Sequence, residues 1–234
     1  MPSRFDRRTA LRVVGSSVAL ALAGCGANRG PGESNGSANG TDTSTPAPVT
    51  ADDVAFEASA TEPFTADHPA RIRAELRNTA ADPISVFTGV TPPFTSYLSD
   101  GDPDANRLVL VPEVPADESP LGWSDGTDRI SETVESGCWN ATRDAVIEEM
   151  GAYTAVAPGE ALRQRYAVYG YQNESCLPAG TYAFGDDVTV HRGRPGDDAP
   201  ESEATFGFAL ALADDGSLSV ERDEATIGGD DGSE

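Results

Sequence analysis

The feature that most constrains the fold is a strict alternation of apolar and charged residues at 69–77. Apolar residues occupy every second position from Ala70 to Leu76, and arginine or glutamate fills the positions between them. Because successive side chains of a strand point to opposite faces, this pattern predicts a β-strand with one buried face. A second alternation at 162–169 predicts a strand of the same kind, and we expect the two to lie side by side.

Shorter apolar runs, separated by Gly, Pro, Asn and Asp, predict the remaining strands. These lie at 54–58, 84–88, 94–98, 108–111, 153–156, 176–190 (after a turn), 205–213 and 218–220. One helix is predicted at 142–150, where Thr142 would cap the start, Val146 and Met150 would share a face, and Gly151 suits the end. Short strands at this spacing indicate an all-β, immunoglobulin-like β-sandwich at 52–222, with the helix in an insertion at 112–150.

Residues 1–24 have the features of an export signal. Arginines including Arg7 and Arg8 precede an uncharged run from Val13 to Ala23, which is well short of the roughly 20 residues that span a bilayer. The residues before Cys25 resemble a lipobox, and the Arg7-Arg8 pair resembles a twin-arginine signal. The resemblance implies export, cleavage before Cys25, and a lipid on its sulfur that anchors the chain at the outer face of the cytoplasmic membrane.

Two further segments lack the apolar residues that a packed core needs. Residues 25–51 are rich in Gly, Ser, Asn, Thr and Pro, so we predict a flexible linker between the lipid and the domain. Residues 223–234 are acidic and glycine-rich, and we predict a disordered tail.

The charge of the chain excludes some partners. The net charge is −23, and all 16 basic residues are arginine. Binding to nucleic acid rests on neutralising phosphates with cations, so we expect no nucleic-acid partner. The acidic, lysine-free composition and the export signal are similar to those of extracytoplasmic lipoproteins of halophilic archaea.

Cysteine use agrees with export. If Cys25 carries a lipid, Cys138 and Cys176 remain as a pair, and outside the cytoplasm such a pair usually forms a disulfide. The alternative is two buried free thiols. Candidate glycosylation sites, defined by Asn-X-Ser/Thr, are Asn35, Asn39, Asn140 and Asn173.

Four short segments resemble a known module. They are Leu76-Arg-Asn78-Thr, Pro83-Ile-Ser-Val-Phe87, Ala157-Pro-Gly159-Glu and Leu177-Pro-Ala-Gly180-Thr-Tyr182. Together they are similar to the immunoglobulin-like domain of the bacterial intracellular proteinase inhibitor family. The resemblance implies a sandwich with a tyrosine corner at Tyr182, in which the hydroxyl group ties a turn to the backbone. It also implies inhibition of a protease as one candidate function.

Two patterns resemble catalytic motifs. Gly122-Trp123-Ser124-Asp125-Gly126 matches a nucleophile elbow, for which His191 would be the downstream base. However, no strand is predicted before Ser124, and residues 32–36 of the linker match the same pattern. Gly137-Cys138-Trp139 is similar to the tripeptide around a papain-type cysteine, but a disulfide packed on Trp139 explains it better.

Metal sites have weak support. Asp100, Asp102, Asp104 and Asn106 alternate like the start of a calcium loop, but position six is Ala105 and position twelve is Val111, so an acidic turn explains them better. The two histidines, His68 and His191, have no ligand-type neighbours. We therefore expect neither a metal nor another cofactor.

Arginines on the two alternating strands form the last candidate site. If both strands bury their apolar faces, one outer face carries Arg71, Arg73, Arg77, Arg163 and Arg165. The face could pair internally with acids such as Glu57 and Glu75, which we favour, or dock an acidic partner.

Three functions follow from the sequence. The first is a non-enzymatic, lipid-anchored module that binds an unidentified envelope protein. The second is an inhibitor or accessory factor of an extracellular protease. The third is a serine hydrolase that uses Ser124 and His191.

Overall fold

The described part of the chain is almost entirely β-structure. The computed structural model describes residues 46–101, 106–115, 117–123, 138–141, 144–147, 150–171, 176–196 and 200–228. A single 3-10 turn, Ala51–Asp53, precedes the first strand. The strands are β1 (Val54–Glu62), β2 (Ala70–Asn78), β3 (Ile84–Thr88), β4 (Arg107–Pro112), β5 (Leu121–Trp123), β6 (Asn140–Ala141), β7 (Ala145–Ile147), β8 (Ala152–Val156), β9 (Ala161–Tyr171), β10 (Gly180–Arg192), β11 (Glu201–Leu212) and β12 (Leu218–Gly228).

The strands form two large sheets and a small one. The first sheet has the order β1-β2-β9-β4, with β6 pairing with β9, and the second has the order β12-β11-β10-β3-β8. A two-stranded sheet of β5 and β7 is separate. Strands β2, β3 and β4 belong alternately to the first and second sheets, so the chain crosses between the layers and ties them together.

The predicted neighbours β2 and β9 pair antiparallel, with Ile72 opposite Tyr166 and Arg73 opposite Arg165. On β2 every second residue from Ala70 to Asn78 is buried, as the alternation predicts. The apolar face of this sheet therefore packs inward, and the arginines lie outside.

Aromatic rings fill the space between the two sheets. Phe56 of β1 stacks on Phe206 of β11 with ring centroids 5.3 Å apart. Phe208 contacts Phe94 and Phe184, each with centroids 5.1 Å apart. These residues are all buried, so the two sheets pack face to face as in a β-sandwich.

Three predictions for local structure are corrected. Residues 94–98, which we predicted as a strand, form none, and Leu98 makes only an isolated bridge to Val109. Residues 145–147, which we predicted to be helical, form β7 and pair with β5, Leu121 lying opposite Ile147. The branched side chains of Val146 and Ile147 suit a strand, and a nine-residue helix is marginal without tertiary contacts. In addition, β12 continues to Gly228, which pairs with Glu203. The paired chain thus extends into the stretch that we predicted as a disordered tail.

Candidate partner-binding surface

An apolar patch covers one corner of the second sheet, where β3 and β8 lie. Among the residues that the structure describes, the large apolar side chains that are more than a third exposed are Phe87 (39%), Val90 (38%), Val146 (50%), Ile147 (37%), Met150 (58%) and Tyr153 (42%). Phe87, Val90, Ile147 and Met150 line one cleft of about 290 Å³. Tyr153 contacts Phe87, so five of the six residues lie together, and we call these five the β3–β8 patch. Contiguous apolar surface of this kind marks interaction sites.

A cross-strand aromatic pair forms the centre of the patch. Phe87 on β3 lies opposite Tyr153 on β8, and their ring centroids are 4.9 Å apart. The Phe87 ring lies over Gly151, where an added Cβ would be 2.2 Å from the ring atom Cζ. Glycine at 151 therefore allows the ring to lie against the backbone just before β8.

Tyr153 also connects the patch to a buried histidine. Its hydroxyl group is 3.0 Å from His191 Nε2, and the two rings make an edge contact with centroids 5.1 Å apart. The same nitrogen is 3.6 Å from a Glu201 carboxylate oxygen. His191 is only 3% exposed, and its Nδ1 has no hydrogen-bond partner among the described residues. His191 therefore contacts the hydroxyl group and the ring of Tyr153, and its own ring is shielded from solvent.

Strand β8 forms an edge of the second sheet, and its sequence lacks residues that would hinder pairing with a further strand. Ala152–Val156 contains no charged residue and no proline, which are two of the devices that prevent further pairing. The other outer strands of the two large sheets all carry charge: β1 has Glu57, β4 has Arg107 and β12 has Glu221. Apart from the ladder to β3, no backbone–backbone bond joins 152–155 to any other described residue.

The charge beside the patch is negative. Asp187 lines the cleft, and its carboxylate accepts a hydrogen bond of 2.7 Å from Thr205. The neighbouring Asp186 is half-buried and accepts bonds from the amide and hydroxyl groups of Thr95. Burial raises the pKa of Asp186 above its ordinary value despite those bonds. No cationic side chain lies among the described residues that line the cleft.

The predicted arginine face exists on the opposite sheet, but acids occupy most of it. Glu75 accepts bonds from Arg163 at 2.7 Å and from Arg77 at 2.5 Å. Because these guanidinium groups favour the ionised carboxylate, Arg163 first, the pKa of Glu75 is lowered. Glu75 thus pairs with arginines of its own sheet, which is the alternative that we favoured from the sequence.

Two further glutamates complete the ion pairs of this face. Glu62 binds Arg71 and, at 2.9 Å, Arg165, and Glu113 lies 2.5 Å from Arg71 and 3.2 Å from Arg165. Arg73 is the exception, because no described carboxylate lies within ion-pair distance and it is exposed opposite Arg165. Most of the positive charge on this face is therefore neutralised within the protein.

The predicted cysteine pair is joined. Cys138 and Cys176 form a disulfide with Cα atoms 5.3 Å apart. It borders a cavity of about 410 Å³ that Phe64, Trp139 and Leu177 also line. The Trp139 indole N–H donates to the Thr65 carbonyl at 2.8 Å, which anchors the tryptophan beside the same cavity. Packing of the disulfide on the Trp139 ring stays a prediction.

Several predicted site residues lie outside the described residues. They are Arg7, Arg8, Cys25, Asn35, Asn39, Asp102, Asp104, Ser124 and Asn173. Asn140 is half-buried on β6, and no group of three or more His, Cys, Asp or Glu side chains in the described residues could hold a metal ion. Over the same residues, no helix has the length and apolar character needed to cross a membrane.

Comparison of the chain with known proteins gave no match to a family model, to a curated protein or to a solved structure. The candidate function therefore rests on the geometry of the chain itself. That geometry favours the β3–β8 patch, which the sequence analysis did not identify. The one available signal was the uncharged strand at 153–156, which lacks the alternation with charge seen at 70–77.

Proposed function

We propose that this protein is a lipid-anchored surface module that acts by binding a protein partner through the β3–β8 patch. The observation that carries the proposal is the concentration of exposed apolar side chains beside an uncharged sheet edge. Soluble domains rarely leave such surface uncovered, because its burial on association is favourable by about 25 cal/mol per Å². Binding explains why Phe87, Met150 and Tyr153 are exposed.

The anchor is proposed to be a lipid on Cys25. Support comes from the sequence of residues 1–25, in which arginines, an uncharged run and a cysteine follow one another at the spacing of a lipoprotein signal. The glycine- and serine-rich linker would hold the domain at the outer face of the cytoplasmic membrane, where an envelope protein can reach the patch.

We also propose that the sandwich is immunoglobulin-like. The Tyr182 hydroxyl group donates to the Pro178 carbonyl at 2.8 Å, which is the bond expected of a tyrosine corner. The pairing of β2 with β9, and the crossing of successive strands between sheets, agree with that topology. The inhibitor function that the resemblance implies stays a prediction.

The test is site-specific photo-crosslinking in intact membranes. One full-length variant carries a photo-reactive residue at Met150, in the patch, and a matched variant carries it at the exposed Arg73, on the arginine face. We expect a discrete crosslinked product from Met150 only, lost when Tyr153→Ser removes an aromatic ring from the patch. A product from Arg73 alone would show that the partner binds the arginine face and not the patch. Products from neither position would refute the proposal.

A second measurement tests the anchor. Cys25→Ser should release the protein from the membrane fraction and abolish the Met150 product in intact cells. If the variant stays in the membrane fraction, another segment anchors the chain.

A further inference from the structure

We infer that the β3–β8 patch receives an extended segment of a basic partner protein, which adds a strand to β8. The inference rests on the proposed function and names the chemistry of the partner. Strand addition combines backbone hydrogen bonds, which give affinity, with side-chain contacts, which give specificity.

The backbone of β8 provides the first argument. On one side, β8 pairs with β3 over five residues, from Ala152 opposite Thr88 to Val156 opposite Ile84. Beyond that ladder, the described residues contribute one bond to β8, from the Asn78 side chain to the Val156 carbonyl. An edge strand turns the amide and carbonyl groups of every second residue outward, so an incoming strand would find those of two of the four residues 152–155 available.

The position of the apolar patch provides the second argument. A strand added to β8 would lie about 4.8 Å beyond it, and every second side chain would project over the outer face of the sheet. On that face β8 presents Tyr153, and Phe87 lies next to it on β3. Apolar side chains at alternate positions of the partner would therefore pack against this aromatic pair and cover Met150.

The charge around the patch provides the third argument, and it distinguishes a basic partner from a second copy of this chain. Asp187 lines the cleft, the Glu201 carboxylate is 66% exposed beside His191, and the whole chain has a net charge of −23. Two such chains repel each other, whereas arginine or lysine side chains of a partner would be attracted. Because Asp187 lines the same cleft as Phe87, the expected partner segment carries both apolar and basic residues at the alternate positions that project over the outer face.

The experiment uses two synthetic eight-residue peptides in which every second residue is serine. The other four residues are two valines and two arginines in one peptide, and two valines and two glutamates in the other, so that apolar and charged side chains project over the same face. Each is titrated into the full chain in detergent micelles at low and at high salt. We expect the basic peptide to bind at least about tenfold more tightly than the acidic one at low salt, with the difference reduced at high salt. Exchange of the outward-facing amides among 152–155 should slow by about tenfold or more, because strand pairing protects backbone amides.

Two variants of one exposed position provide the control for charge. Ala155 is exposed on β8, on the same face as Tyr153. Ala155→Glu should strengthen binding of the basic peptide and Ala155→Lys should weaken it, although both replace the same methyl group. Equal affinity in the two variants, or equal binding of the two peptides, would overturn the assignment of a basic partner.

The exchange data separate this inference from the proposed function. Peptide binding without protection at 152–155 would overturn strand addition, and so would failure of both peptides to bind. Protection that rises with protein concentration and needs no peptide would overturn the basic partner in favour of a second copy. In each of these cases a crosslink from Met150 to an envelope protein would still support the patch as an interface, whereas its absence would refute the proposed function itself.

Discussion

Replacement of Asn78 by alanine tests how the two sheets are tied together beside the patch. Asn78 ends β2 in the first sheet, is fully buried, and uses its side-chain amide in three hydrogen bonds. The amide nitrogen donates to the Val156 carbonyl of β8 and to the Asp82 carbonyl, and the amide oxygen accepts from the Ala80 N–H, all at 2.9 Å. One side chain thus joins β2 to β8 in the other sheet.

The size of the effect follows from those bonds. A buried hydrogen bond contributes about 1 kcal/mol net, and a buried group left without its partner costs about 1–3 kcal/mol. The bonds to Val156 and Ala80 are buried, and the bond to Asp82 is partly buried. We therefore expect Asn78→Ala to lower the free energy of unfolding by about 3 kcal/mol.

Urea unfolding of the full chain at fixed salt measures this change. With a slope of about 2 kcal/mol per molar urea, the midpoint should fall by about 1.5 M. The matched control is Thr79→Ala, whose exposed hydroxyl group donates to the Asp52 carbonyl at 2.7 Å and can be replaced by water. The control should lose well under about 1 kcal/mol. A similar loss in both variants, or a loss below about 1 kcal/mol for Asn78→Ala, would refute the reasoning.

Three other substitutions test separate parts of the structure. Cys138→Ser with Cys176→Ser opens a loop with a sequence separation of 38 and should cost about 4 kcal/mol in urea unfolding, whereas an unchanged midpoint would contradict the disulfide's role. Glu75→Gln should lower the free energy of unfolding at pH 7, where the Glu75 carboxylate is ionised. The loss should disappear as the pH falls through the lowered pKa of Glu75, because the protonated carboxyl group no longer pairs with the arginines. A loss that is the same at every pH would count against the ion pairs with Arg163 and Arg77. Gly151→Ala places a Cβ 2.2 Å from Phe87 Cζ, so the Phe87 ring proton shifts should change in NMR spectra; unchanged shifts would mean that the ring does not lie over residue 151.

The amphipathic strands could be predicted from the sequence because one face of each is buried and the other is charged. On β2 the alternation from Ala70 to Asn78 leaves only one assignment of the faces, and β9 follows the same rule at its start. Two such strands side by side form one apolar surface, which accounts for the correct prediction of their pairing.

The acids that neutralise the arginines could be predicted only in part. Glu75 lies within the same strand as Arg77, so its pairing is local. Glu62 comes from the end of β1 and Glu113 follows β4, so only the assembled sheet brings them to Arg71 and Arg165. Charge alternation gives the outward face of a strand, but not the partners that other strands contribute.

The β3–β8 patch and the strand β7 required the three-dimensional structure. Val86 and Phe87 are adjacent apolar residues on β3, yet Val86 is buried in the core and Phe87 is 39% exposed, because nothing described covers the outer face at that corner. Val146 and Met150 fit a helical spacing, and only pairing with β5, more than twenty residues earlier in the chain, makes 145–147 a strand. The exposure of a side chain and its pairing with a distant strand depend on the assembled sheet. They cannot be predicted from the local pattern of apolar and polar residues.

Asp186, the neighbour of the cleft-lining Asp187, should respond to substitution with the opposite sign to Glu75. Burial raises its pKa above the ordinary value of 3.8, so it contributes stability at low pH that is lost as the pH rises through the folded-state pKa. Asp186→Asn removes the buried charge, while an amide oxygen can still accept from the Thr95 amide and hydroxyl groups. At pH 7 the variant should be as stable as the natural protein or more stable in urea unfolding, and the difference should shrink towards acid pH. If it is instead less stable by the same amount at pH 7 and at pH 4, a shape or hydrogen-bond mismatch dominates and the charge is not what burial penalises.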